Sequence, residues 1–298
     1  MSTETLHVVE PENLVLQPRQ VAFDWANVPM HYIPGDPVAT HTINVLHLLL
    51  PEGEDWFVAT FKEALPFIDD EKLRDDVIGF IGQESMHSGA HTGVLDHLAS
   101  NGIDPTPFTD QLHWLFDKLL GPRPITGLKE QNYLVERLAL IAAIEHITAF
   151  LGDWVLNAEG LDRADMHPTM IDLLRWHGAE EVEHRAVAYD VLMYFDKRYI
   201  RRARTQALVI PVIVYLWVRG VRFLMANDPA LAPQSKHRRK PHWSDYFHAA
   251  RRGVLPNPAT LLLRMSTYFL PGYHPSKEGS TAQAVAYLAS SPAARAAS

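Results

Sequence analysis

FIGQESMHSGAH (residues 80–91) and GAEEVEHRAVAYD (residues 178–190) decide how this chain is read. Each carries a Glu-x-x-His pair, Glu84/His87 and Glu181/His184, inside a long stretch of helical character. Positions i and i+3 of a helix share a face about one turn apart, so one helix presents a carboxylate and an imidazole to the same point. Ahead of each pair lies a helix with a lone glutamate on its apolar side, Glu54 before the first and Glu145 before the second. Glu then Glu-x-x-His, twice over, is the ligand set with which a four-helix bundle holds two iron or manganese ions.

One Glu-x-x-His alone says little. Glu4/His7 repeats the pattern in the N-terminal tail, and Asp110/His113 and Asp245/His248 are its aspartate version. The competing reading is solvated surface charge, or buried histidine held by neighbouring glutamate. Phasing favours metal ligands. Phe80, Ile81, Glu84, His87, Ser88 and His91 follow one helical stripe, as do His177, Glu181, His184, Ala188 and Val191. Leu138, Ile141, Ala142, Glu145, Ala149 and Gly152 form a third, and His47, Leu50, Glu54, Val58 and Phe61 a fourth. The four glutamates thus stand where hydrophobes belong, and desolvating such charges without partners is costly.

The chain organises as an extended segment over residues 1–35, a helical bundle over 36–228 and a helical or irregular extension over 229–298. Asp36-Pro37 is a good helix start. The first helix runs from there to about Leu65, with Pro51 expected to kink or restart it. Further helices are expected near 70–100, 107–120, 125–158, 167–195 and 198–226, then two short ones near 242–253 and 256–269. SSPAARAAS at the end reads as a loose tail. No stretch alternates in a strand pattern, so the fold class is all-α: a ferritin-like four-helix bundle with extra helices and a C-terminal extension.

With 298 residues and 47% hydrophobic content, a large core can be buried. The absence of cysteine excludes disulfides, zinc-thiolate sites and a cluster-binding thiolate set. It fits a cytoplasmic location, as does a start without a secretory signal pattern. A net charge of −8 argues against nucleic acid as partner. ALVIPVIVYLWV (207–218) is almost wholly apolar, with Arg219 and Arg222 after it and RRAR (201–204) before it. Twelve residues are too few to span a bilayer. The run reads as a buried core helix or oligomer contact, with a helix lying at a membrane surface as the alternative. Oligomeric state stays open, a homodimer among the options.

The segments PEGEDWF, FIGQESMHSGAH, AIEHITAF and GAEEVEHRAVAYDVL resemble those of bacterial proteins described as predicted metal-dependent hydrolases, from about residue 30 to about residue 225. In ligand order the chain also resembles the ferritin-like di-iron superfamily. The resemblance implies metal ligands at Glu54, Glu84, His87, Glu145, Glu181 and His184. The tract from Lys236 to Ser298 has no match in it.

Other residues compete for the site. His91 is a seventh ligand, a proton relay or a hydrogen-bonded core histidine. His146 points away from Glu145's face and reads as structural. Glu180 could pair with His184, but Glu181 repeats the i+3 spacing. Glu183 is expected in solvent, Gln83 against a neighbouring helix, and Asp190 and Arg185 behind the metal ligands. Glu84 and Glu181, central in the pattern, are the bridging and catalytic candidates, with Glu54 and Glu145 terminal.

The function read first is an oxidoreductase: two iron ions, or manganese, activate dioxygen on a small apolar substrate, with electrons from an external donor. The alternative is a metal-dependent hydrolase using a metal-bound hydroxide. Metal storage, or a purely structural helical protein, is a third reading. A tunnel lined by Phe61, Phe80, Leu138, Ile141 and Val187 is expected to lead a long-chain acyl or alkyl compound to the metals.

Overall fold

The computed structural model describes residues 14–232 and 240–297, and no strand occurs among them. The Glu4/His7 pattern lies outside the described residues. The first helix, α1 (Pro37–Ala64), starts as expected, with Asp36 accepting from the Ala39 amide. It runs through Pro51 without interruption. The second, α2 (Glu71–Ser100), is capped by Asp70 accepting from the Leu73 amide. α3 (Thr106–His113) passes into a π-helical turn, Trp114–Leu119. α4 (Leu128–Leu156) is followed by the short α5 (Glu159–Arg163).

The helix expected over 167–195 is divided. α6 (Pro168–His184) ends at the second His ligand candidate, and α7 (Val187–Phe195) continues beyond a turn. Arg185, at the break, donates to Thr281 Oγ1 at 2.8 Å and to the Pro275 and Ser276 carbonyls. The turn therefore ties the bundle to the C-terminal segment. α8 (Tyr199–Asn227) follows, then α9 (Trp243–Arg251), α10 (Pro258–Thr267), α11 (Thr281–Leu288) and α12 (Pro292–Ala296).

Helices α1 and α2 pack as one pair, and α4 with α6 and α7 as the other. The pairs face each other through α1 against α4 and α2 against α6 and α7, while α8 lies across α1 and α4. One packed core lies on the side of Phe61, Phe80, Leu138, Ile141 and Val187. Another joins α6 to Val254, Leu255, Ala284 and Ala294 of the C-terminal segment. The 290–297 stretch is not a loose tail. Buried Asp172 of α6 accepts from Ser291 Oγ at 2.7 Å, the Ala293 amide at 2.9 Å and Tyr287 Oη at 2.9 Å.

Two features fix how closely the elements approach. The first is Asp228, which ends α8. One of its oxygens meets His31 Nε2 at 2.5 Å and His41 Nε2 at 2.9 Å, joining the N-terminal segment, α1 and α8. Burial would raise Asp228, but these histidine bonds hold it down to about 2. The second is a contact of glycines. A Cβ on Gly178 of α6 would lie 2.6 Å from Val155 Cγ1 and 2.9 Å from Gly152 Cα, so α4 and α6 touch backbone to backbone.

The apolar run in α8 is not buried core. Among the described residues, α8 is the one helix long and apolar enough to cross a membrane by length and composition, with mean hydropathy 1.8 over 18 residues. The twelve-residue count from the sequence was too narrow, because the apolar character continues past Arg219 and Leu208–Met225 carries only two charges, Arg219 and Arg222. Only 28% of that window is buried.

Gly178→Ala is expected to destabilise the protein by about 1–3 kcal/mol, the cost of overpacking. On an open helix the same change would stabilise by roughly 1 kcal/mol. Chemical denaturation distinguishes the two, and a more stable variant would mean that the helices separate freely.

Candidate metal centre

The six residues singled out from the sequence meet in one chamber enclosed by α1, α2, α4 and α6, and all are buried. His184 Nε2 lies 3.2 Å from Glu84 Oε1, 3.4 Å from Glu145 Oε2 and 3.6 Å from Glu181 Oε2. His87 Nδ1 lies 3.6 Å from Glu84 Oε1 and 3.9 Å from Glu181 Oε1. Glu84 and Glu181 therefore stand between the two imidazoles. Glu145 approaches His184 only, and Glu54 lies on the opposite side, 3.7 Å from His177.

The donor set fits metal ions. Both oxygens of Glu54 and Glu84, one of Glu145, one of Glu181, His87 Nδ1 and His184 Nε2 are buried without a hydrogen-bond partner. Buried polar atoms normally have one, and so many orphans facing each other point to cations. Several of these side chains offer ligand atoms within 4.8 Å of one another, in overlapping groups that also take in His177 and His91.

The opposite edges of the two imidazoles are fully engaged. His87 Nε2 meets Glu180 Oε2 at 3.0 Å, and His184 Nδ1 meets Gln83 Oε1 at 3.0 Å. Each His is thus held by the residue just before the other motif's glutamate. Gln83 Nε2 donates to Glu183 Oε2 at 3.0 Å, and Arg19 spans Glu180 and Glu183 at 2.8 Å each. Such partners orient metal-binding imidazoles and fix their tautomers.

Several expectations are corrected here. Glu183 is buried and bonded rather than solvated. Glu180 serves His87 on the other helix, not His184. Asp190 and Arg185 turn away from the chamber. Asp190 meets His274 at 2.9 Å and Arg185 holds residues 275–281, because the break after His184 rotates both off the ligand face. Asp245 caps its own helix and His113 pairs with Glu52, so neither aspartate motif reaches the chamber.

His177 was placed only on the helical stripe. It belongs to the centre, with Nε2 2.7 Å from Glu181 Oε1 and Nδ1 2.6 Å from His91 Nε2. His91 Nδ1 in turn meets His47 Nδ1 at 2.7 Å. A file of three imidazoles thus leads away from Glu181. His146 stays apart, bonded to Tyr273 and the Arg264 carbonyl, as its phase implied.

Electrostatics divide the carboxylates. Burial and the repulsion of the neighbouring carboxylates hold Glu54 well above the ordinary range. Burial pushes Glu84 and Glu145 up to about 8. Burial also acts against Glu181, but its bond with His177 and the nearby His184 imidazole hold it well below the usual range. Conversely, His184 resists burial and is raised by Glu145 and Glu181. Without cations, the chamber balances its charge with protons.

An apolar cavity of about 390 Å³ reaches the centre at Glu181 and His177. Its walls come from α1, α4, α6, α8, α9 and α10, including Leu50, Leu151, Trp217, Tyr246 and Leu261. None of the five tunnel residues expected from the sequence lines it. They fill the packed core on the other side of the chamber, where Phe80 meets the His184 ring edge-on.

A family model described as a predicted metal-dependent hydrolase matches residues 17–279. The match extends well past residue 225 and takes in most of the tract left unmatched from the sequence. No curated protein and no solved structure matches. The family description overturns the dioxygen-activating oxidoreductase as the principal reading and favours the hydrolytic alternative.

Metal binding requires deprotonated ligands. Carboxyls titrating at about 8 are protonated at neutral pH, so loading a divalent metal at pH 7 is expected to release protons. Affinity should rise with pH through about 8, as Glu84 and Glu145 ionise. Calorimetry in buffers of different ionisation enthalpy measures the release, and loading without any at pH 7 would contradict this charge balance.

Proposed function

The chain belongs to the predicted metal-dependent hydrolase family, and on that footing we propose that it cleaves an ester or amide bond in an apolar acyl compound. Glu54, Glu84, His87, Glu145, Glu181 and His184 would hold a pair of metal ions within the four-helix enclosure, in the ferritin-like manner, with His177 beside them. Iron or manganese suits a carboxylate-rich set of this kind. The observation that carries the reading is the convergence of unpartnered buried carboxylate and imidazole atoms at the inner end of an apolar cavity. When bound, such ions polarise a carbonyl and make a coordinated water acidic near neutral pH.

The protein's own residues supply the rest. The cavity walls take the acyl chain, and its inner end leaves the scissile carbonyl beside Glu181 and His177. Glu84 and Glu181, between the two imidazoles, are the bridging candidates. Glu180 and Gln83 keep His87 Nδ1 and His184 Nε2 facing the chamber. Burial, with the neighbouring His87 imidazole, lowers His177 from its ordinary value. The His177 Nε2–H donates to Glu181 Oε1 and its Nδ1 accepts from His91, which in turn is held by His47, so the file orients Glu181, whose unpartnered Oε2 can take a proton as water attacks. The leaving group regains that proton from Glu181.

Hydrolysis of p-nitrophenyl acyl esters by metal-loaded protein under argon tests the reading. Turnover should persist without oxygen. The specificity constant should rise by about fourfold per added methylene until the cavity is filled, from ~0.8 kcal/mol per buried methylene. Glu84→Ala should lose both metal equivalents, and Glu54→Ala only one. Failure to cleave any ester, amide or phosphate with any divalent metal would sink the hydrolase; full metal content in the Glu84 variant would remove Glu84 as a bridge.

A further inference from the structure

We propose that the outer face of α8, with α9 and α10, docks onto an anionic lipid bilayer, and that the cavity draws its substrate from that bilayer. The second clause rests on the hydrolase reading; the docking surface does not. The rim of the cavity carries the first observation. Val214, Trp243, Phe247 and Leu262 line the cavity and are nevertheless 45%, 64%, 46% and 65% exposed. They are at once the wall of a substrate-sized space and part of the outer surface.

The apolar surface continues away from the rim. Leu208 and Tyr215 on α8 and Leu263 on α10 are also exposed, though none lines the cavity. Apolar patches of this extent are uncommon on a protein that meets only water. The helix beneath them has the length and apolarity of a membrane span, yet one side is packed on α1 and α4. A helix so placed cannot cross a bilayer but can lie along one, with tryptophan and tyrosine at headgroup depth.

Charge selects the lipid. The chain carries a net −8, but neither α8 nor α10 contains an aspartate or glutamate. The one acid in α9, Asp245, is occupied in capping its own helix. Arg222 lines the cavity and is exposed, and Lys240 and Arg251 are exposed on either side of Trp243 and Phe247. This cationic, apolar face on an acidic protein is complementary to an anionic leaflet. A second copy of the chain would bring the same cations against each other.

The test is co-sedimentation of the full-length, metal-free protein with vesicles of phosphatidylcholine and phosphatidylglycerol in equal parts, beside vesicles of phosphatidylcholine alone. Binding is expected to the anionic vesicles, weaker to the neutral ones, and reduced by salt. Tyr215→Glu with Leu263→Glu should lower it about tenfold or more while leaving hydrolysis of a soluble short-chain ester intact. No binding of the unaltered protein to anionic vesicles overturns the proposal. So does light scattering that shows a dimer which the double variant dissociates, because the face is then an interface between copies. Vesicle binding by a protein that hydrolyses no ester retains the docking surface and removes only the delivery of substrate.

Discussion

Like charge in a confined space governs this molecule. Four buried carboxylates from α1, α2, α4 and α6 share one chamber, and their mutual repulsion would drive the helices apart. Two buried imidazoles and a set of retained protons offset it. Everything nearby serves that balance. The glycine contact between α4 and α6 brings Glu145 and Glu181 within reach of the same His184 nitrogen. The aromatic and aliphatic packing beside Phe80 keeps the chamber dry on one flank. Lost hydrogen bonds at the centre are thus a feature tolerated for what it can hold, at a cost that the surrounding core must outweigh.

The support behind the two imidazoles has an internal symmetry. Gln83 and Glu180 each precede a motif glutamate, and each holds the histidine of the opposite motif. Position i−1 lies about 100° from the ligand stripe, so these residues point across to the neighbouring helix rather than into the chamber. Arg19 then bridges Glu180 and Glu183. The second motif is the more acidic, EEVEH against QESMH, and the arginine offsets one of its two extra charges.

Much of this was legible in the chain. The six candidate ligands could be placed by helical phasing, because a charge at a core position is conspicuous and its period is local. Helix starts at Asp36 and Asp70 were equally local, since a cap and its amide lie three residues apart. What escaped the sequence depends on distant partners. Nothing near Glu183 signals that Arg19 will cover it, and it read as solvated. Part of the cavity wall lies on α9 and α10, within the extension that read only as helical or irregular. His177 was visible, three residues after Leu174 and four before Glu181. A spacing of His-x-x-x-Glu-x-x-His was the available signal, overlooked because only its second half matched the first motif. The family description corrected the chemistry, which phasing alone could not have decided between two uses of one ligand set.

The covering of α6 carries a consequence for the order of assembly. Arg19 reaches Glu180 across 161 residues, and Asp172 of the same helix is gripped by Ser291, 119 residues further on. During synthesis the segment bearing Arg19 leaves the ribosome long before its partner exists, and the clasp on Asp172 waits for almost the whole chain. Closing such long loops is slow and entropically late. The four-helix enclosure can therefore form around an incomplete wall, with α6 the last helix to be secured.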